Sequence, residues 1–215
     1  MTNIQRQTYL RYSVCVSGAA GGPTVKTSSQ LARKIGAAIA KSGHAVTTGA
    51  TAGLPYYAAL GAKENGGVSI GFSPASSLHE HSHKYRLPFN VYDFINYTGL
   101  NYVGRDLYLV QSSDAVITVG GRFGSLHEFT SALEAHKPCG VLLGSGGAAD
   151  TIPDLMKLLP PPKHDLVLFD EDPDRLVKKI LEVLDKKYAD IYRDLKKHDY
   201  SWFLEGSAGG QSIAG

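Results

Sequence analysis

Residues 115–128, AVITVGGRFGSLHE, concentrate the residue types that could bind and act on an anionic ligand. An apolar run ends in Gly120 and Gly121, and a helix is expected to begin near Gly124 and Ser125. Glycine permits a tight turn there, and free amides at a helix start point at any anion placed before them. Ser125 adds a hydroxyl, as N-cap or as phosphate ligand. Glu128 follows three residues later, so Ser125-x-x-Glu128 also reads as a capping box, a purely structural task. The pattern alone leaves both readings open, because many structural turns are glycine-rich.

Other residues invite chemistry less strongly. The run HEHSH places His79, His81 and His83 at alternate positions, and in an extended chain these would share one side and could hold a metal ion. No cysteine or carboxylate cluster accompanies them in the sequence, so the expectation is a solvated histidine loop and no metal. His127 lies about 100° round the helix from Glu128, and His136, near the helix end, is expected to cap carbonyls. Tyr92, Tyr97 and Tyr102 could stack on a base, or serve equally well in packing. Cys15 and Cys139 sit in apolar stretches and read as small core residues of a reduced, cytoplasmic protein.

Strands are expected at residues 13–17, 44–48, within GGVSIGFSP, at 115–119, 139–143 and 166–169, with a weaker one at 89–95. Helical patterns alternate with them at 28–41, 56–64, 102–112, 126–135, 149–159 and 172–187. In the first of these, Leu31, Ile35, Ala38 and Ile39 fall on one face. Asp170 or Asp172 is the expected cap of the last, with Pro173 at its first position. Residues 73–97 carry no sustained period, which in a compact domain marks a functional or mobile loop. This rhythm predicts one doubly wound, Rossmann-like α/β domain over residues 1–205, with a parallel sheet, helices on both faces, and a disordered tail at 206–215. Such sheets bind ligands at the carboxyl ends of their strands. There the glycines gather: Gly18, Gly21 and Gly22, then Gly49 and Gly53, then Gly120, Gly121 and Gly124.

Composition fits a soluble globular chain: 215 residues, 43% hydrophobic, 20% charged, and 24 glycines against a usual ~7%. A net charge of +2 is too balanced for a polyanion-binding stripe. No stretch approaches the ~20 apolar residues of a membrane span, and the first residues lack a signal-peptide core. Neither nucleic acid nor membrane is an expected partner.

The glycine segment resembles the signature P-G-G-x-G-T-x-x-E of the Lonely Guy (LOG) family, long labelled lysine decarboxylase-like, which includes cytokinin riboside 5′-monophosphate phosphoribohydrolases. GATAGLPYYAALGAKENGGVSIGFSP is similar to that family's second glycine turn, helix and G-G-x-x-I-G-x-x-P strand. Arg105 stands fifteen residues before Gly120, the spacing of the family's catalytic arginine. The wording GR-x-L-x-L-V-x-S-x-D followed by VGG is closer to the branch that contains molybdenum-cofactor carrier proteins. Four positions depart from the family pattern: Gly120 replaces the proline, Arg122 a glycine, Ser125 the threonine, and Asp106 the lysine after the arginine. A non-glycine residue disfavours positive φ, so Arg122 either reroutes the loop or turns its guanidinium to a phosphate.

The resemblance implies a nucleoside 5′-monophosphate, AMP or an N6-modified AMP, held at Gly18, Ala19, Gly49, Gly53, Gly120, Gly121, Arg122, Gly124 and Ser125. Glu128 and Arg105 would act in N-glycosidic hydrolysis to free base and ribose 5-phosphate. Arg105 could instead be a surface arginine on an amphipathic helix. No cofactor would be required, and the family implies a homodimer. The rival expectation is a non-catalytic nucleotide or molybdenum-cofactor binder built from the same loops. Decarboxylation would need a Schiff-base lysine, for which Lys63 and Lys137 are the nearest candidates.

Overall fold

The computed structural model describes residues 11–159 and 164–196. Its contacts divide the chain into two units: residues 11–184, and a second made of residues 1–10 with 185–215. Of the second unit, the described part is the end of one helix and the short helix Ala189–Lys196. The expected tail at 206–215 lies outside the described residues, as do Pro160, Pro161 and Pro162.

Seven strands form one parallel sheet: β1 Ser13–Gly18, β2 Ala45–Gly49, β3 Val68–Ser73, β4 Phe94–Tyr97, β5 Ala115–Val119, β6 Cys139–Leu142 and β7 Val167–Asp170. Their order is β4-β3-β2-β1-β5-β6-β7. The chain therefore winds outward one way from β1 and the other way from β5, and a crevice opens where the two directions part. β2 and β5 are buried along their whole length, as strands covered on both faces must be. β4 begins at Phe94, five residues later than the sequence suggests. Asp93 takes up the approach, accepting from the Ser69 amide at 2.8 Å and ion-pairing with Lys63.

The helices are α1 Pro23–Lys41, α2 Leu54–Glu64, α3 Asn101–Gln111, α4 Phe123–Glu134, α5 Gly147–Leu158, α6 Pro173–Lys187 and α7 Ala189–Lys196. α3, α4 and α5 cover the sheet face that carries Cys15, Val116 and Cys139, where Leu109, Phe129 and Ile152 close an apolar cluster. α1, α2 and α6 cover the other face. There Gly18 abuts Leu54 of α2 and Gly140 abuts Leu176 and Ile180 of α6.

Helix starts follow local chemistry. α1 begins five residues before its apolar period does, because Pro23 presets φ at the first position. Asp172, not Asp170, caps α6, accepting from the Arg175 amide at 2.8 Å, while Asp170 pairs with Arg175 and Lys179.

Within residues 73–97 the chain forms a π-helical turn, Glu80–Lys84. It is not extended, so the three histidines do not share a side. His81 is fully buried, with Nδ1 2.8 Å from Ser73 Oγ and Nε2 3.0 Å from the Pro88 carbonyl. His79 and His83, one turn apart, stack on each other. Among the described residues no group of histidines, cysteines and carboxylates is placed to hold a metal, and no helix is long and apolar enough to cross a membrane.

Candidate functional site

The carboxyl ends of β1 and β2, the inner face of α3 and the start of α4 line a cavity of about 210 Å³. Gly18, Ala19, Gly49, Arg105, Arg122, Gly124, Ser125 and Glu128 line it, joined by Asp106 and Tyr102. Gly53, Gly120 and Gly121 do not line it; they shape it. Gly53, at φ 76°, lets the start of α2 approach the β1–α1 loop, where the Leu54 amide donates to the Ala19 carbonyl at 2.9 Å. A Cβ on Gly53 would stand 2.3 Å from that carbonyl oxygen. The Gly120 amide donates to Ser145 Oγ at 2.8 Å, and the Gly120 and Gly121 carbonyls accept from Ala149 and Ala148 of α5. Those groups are committed to the fold and are not free for a ligand.

The positive-φ turn is completed by these two glycines, at φ 55° and 95°. Arg122 then needs no left-handed conformation: it is extended, at φ −137° and ψ −153°, and caps α4. The departure from the family pattern thus costs no backbone strain, and the Arg122 side chain joins the cavity wall.

α4 starts at Phe123, three residues ahead of the helical pattern at 126–135, so Phe123, Gly124 and Ser125 supply the first-turn amides. Leu126 makes the first intrahelical bond, to the Arg122 carbonyl at 3.0 Å. Ser125 is therefore the third helical residue and not the cap, and the capping box does not form. An anion in the cavity would meet Ser125 and these amides at the positive end of the helix.

Glu128 lies one turn further along α4, buried in the wall. Its Oε1 is 3.0 Å from Arg105 Nη1, and its Oε2 accepts from the Ser17 hydroxyl at the end of β1. Gly49 makes the arginine's position attainable, because a Cβ there would stand 2.2 Å from Nη1. Arg105 is buried on the inner face of α3, so it is no surface residue. Burial pushes the Glu128 carboxyl up to about 7; Arg105 and the Ser17 bond pull it down, and Asp106 pushes it up. The group is thus poised to take or give a proton near neutral pH.

Asp106 is buried too, with Oδ1 3.0 Å from Arg105 Nη1 and Oδ2 3.1 Å from His127 Nδ1. Sequence reasoning missed Ser17 and this pairing. The signal for Ser17 was a hydroxyl at the carboxyl end of an apolar strand; nothing in the sequence joins Asp106 to His127. Of the three tyrosines only Tyr102 reaches the cavity. The Tyr92 hydroxyl lies 3.2 Å from Thr48 Oγ1, and Tyr97 packs edge-on to His81. His136 takes a left-handed turn after α4, at φ 53°. Lys63 and Lys137 are absent from the cavity wall, with Lys63 paired to Asp93 and Lys137 donating to the Gln111 carbonyl at 3.0 Å.

Gly124 provides a local test. A Cβ there meets nothing within 4 Å, and its φ is not positive. Gly124→Ala is expected to fold normally and to gain up to about 1 kcal/mol from helix propensity. Its added methyl borders the cavity, and a thermal melt of the variant without ligand measures the gain.

Known proteins align with this arrangement. An uncharacterised protein of Archaeoglobus fulgidus is 32% identical over 108 residues, half of this chain, and the match spans 66% of that protein, just under two thirds of its length. The molybdenum cofactor binding protein of Rippkaea orientalis superposes with a TM-score of 0.65 at 26% identity, covering 82% of this chain and 99% of the other. DNA processing protein A of Streptococcus pneumoniae shares the fold alone, at 15% identity and a TM-score of 0.60, over 80% of this chain and 61% of its own. The family model that matches residues 11–176 spans the sheet, the glycine turns and the Arg105–Glu128 pair: the chain belongs to the SLOG cluster4 family, a LOG-like group.

Proposed function

We propose that this protein binds a nucleoside 5′-monophosphate in the cavity and hydrolyses its N-glycosidic bond, with AMP or an N6-modified AMP as substrate. One observation carries the reading: a buried carboxyl, Glu128, lines the cavity beside the start of α4 and is bonded by both Ser17 and Arg105. In this reading the 5′-phosphate sits on the first amides of α4 with Ser125 and Arg122. Tyr102, half exposed at the mouth, offers a ring to the base. Glu128 takes a proton from water as the water oxygen bonds to C1′; the C1′–N bond breaks, and Glu128 passes that proton to the departing base, returning to its ionised form. Positive charge builds on the ribose as that bond lengthens, and the carboxylate stabilises it. The buried Arg105 Nε has no partner among the described residues, and a ligand oxygen would satisfy it.

A non-catalytic binder is the second reading, favoured by the likeness to the Rippkaea orientalis molybdenum cofactor binding protein. It would use the same amides for the cofactor's phosphate, without bond cleavage. In either case a homodimer is part of the proposal, supported by apolar side chains left in solvent on α3 and α4: Val103 is 70% exposed and Phe123 90%.

Incubation with AMP and N6-substituted AMPs, followed by chromatography for free base, separates the two. Base released by wild type supports hydrolysis. A nucleotide-induced rise in melting temperature without free base supports the binder, and no shift with any nucleotide or molybdopterin overturns both.

A further inference from the structure

Two carboxylates and one guanidinium share the buried side of the cavity. Arg105 Nη1 is 3.0 Å from Asp106 Oδ1 and 3.0 Å from Glu128 Oε1. With both acids ionised, one positive charge faces two negative ones away from water, and the cluster is short of one positive charge. Asp106 has a further partner. His127 Nδ1 lies 3.1 Å from Asp106 Oδ2, and its side chain is 37% exposed where that of Asp106 is 9% exposed. His127 follows Leu126 on α4 and is adjacent to Glu128 in sequence, yet it reaches Asp106 on α3.

The other groups facing the cluster do not fill this role. From β1 come Ser17 and Cys15, whose thiol burial holds neutral. From α3 come Arg105 and Tyr102, and from the start of α4 comes Arg122 in the cavity wall. Among the described residues bonded into the cluster, His127 is the titratable one with solvent access. An imidazole changes charge in the neutral range.

We propose that His127 is a positioning residue that sets the charge of Glu128 through Asp106 and Arg105. Protonated His127 offsets the Asp106 charge and leaves Arg105 to Glu128, whose carboxylate is then ionised and able to take a proton from water. When His127 is neutral, Asp106 draws on Arg105 and Glu128 retains its proton. The two ends compete for the same compensating charge. Only the consequence for rate rests on the hydrolase reading; the coupling does not.

The test is a carbon-13 NMR titration of the Glu128 side-chain carboxyl in the full chain without nucleotide, assigned by its loss in Glu128→Gln. His127→Gln keeps an N–H donor for Asp106 and removes the charge. It is expected to move the Glu128 midpoint to higher pH by about half a unit or more, with the acid limb of base release moving equally. Asp106→Asn is expected to lower the midpoint, and in that background His127→Gln should have no further effect. An unchanged midpoint in His127→Gln, or an equal shift with and without the Asp106 carboxylate, overturns the proposal. If wild type releases no base, the hydrolase reading fails, and the NMR arms still decide the coupling.

Discussion

In the proposed hydrolase, Glu128→Gln is expected to lower base release by about 10²–10⁴-fold, and at the same time to raise the melting temperature above neutral pH. The first effect follows from the loss of the proton acceptor. The second follows from linkage. The Glu128 carboxyl is raised from 4.5 to about 7 in the fold, so between those values the native state holds a proton that the unfolded chain has lost. Stability from this group is present at low pH and is lost as pH rises through the folded value. Glutamine resembles the protonated acid, and it leaves Arg105 and Asp106 as a one-to-one pair. At pH 8.5 the variant should exceed wild type by on the order of 2 kcal/mol, or about 5 °C for a chain this size. At pH 5 the two should converge. Thermal melts at both pH values, with chromatography for free base, measure both effects. A variant less stable than wild type at pH 8.5 would refute the raised carboxyl, and retained base release would remove Glu128 from the chemistry.

The largest effect on stability is expected away from the site, where α1 and α2 meet. A Cβ on Gly36 of α1 would stand 1.9 Å from the Ala58 carbonyl oxygen, and one on Gly61 of α2 would stand 2.0 Å from that of Arg33. The obstacles are backbone atoms of a facing helix, so no side-chain rotation relieves them. Gly36→Ala or Gly61→Ala should cost about 3 kcal/mol or more, lowering the melting temperature by about 6–12 °C. The same change at Gly124, which meets open space, is the control. Equal melting temperatures for the Gly36 and Gly124 variants would show that these helices are not held at backbone contact. The consequence reaches the cavity, because α2 begins at Leu54 and the Leu54 amide donates to the Ala19 carbonyl.

The parallel sheet was legible because β2 and β5, AVTTG and AVITV, are short β-branched runs without a charged residue, bounded by small residues, as strands covered on both faces tend to be. The helix starts were less so. Pro23 and Phe123 begin helices ahead of their apolar periods, since backbone preference and not burial sets the first turn. Residues 73–97 resisted reading for a different reason. His81 is buried by irregular bonds within the segment, to Ser73 and the Pro88 carbonyl, which no period announces. Arg122 is the sharpest case. Its type suggests strain in a glycine loop, yet Gly120 and Gly121 absorb the positive φ before it.

By itself the sequence determined the alternation of strands and helices as far as α6, the carboxyl edge at which the glycines gather, and, through the family resemblance, the candidate pair Arg105 and Glu128, because strand runs, turn residues and motif spacing are local properties of the chain. Only the tertiary structure decided what those residues are. It brought Ser17, Arg105, Asp106 and His127 around one carboxyl, separated the glycines that face the cavity from those that buttress it, and took Glu128 out of water. Burial and the Asp106 charge arise between segments far apart in the chain, and against the pull of Arg105 and Ser17 they push an ordinary carboxyl up to about 7.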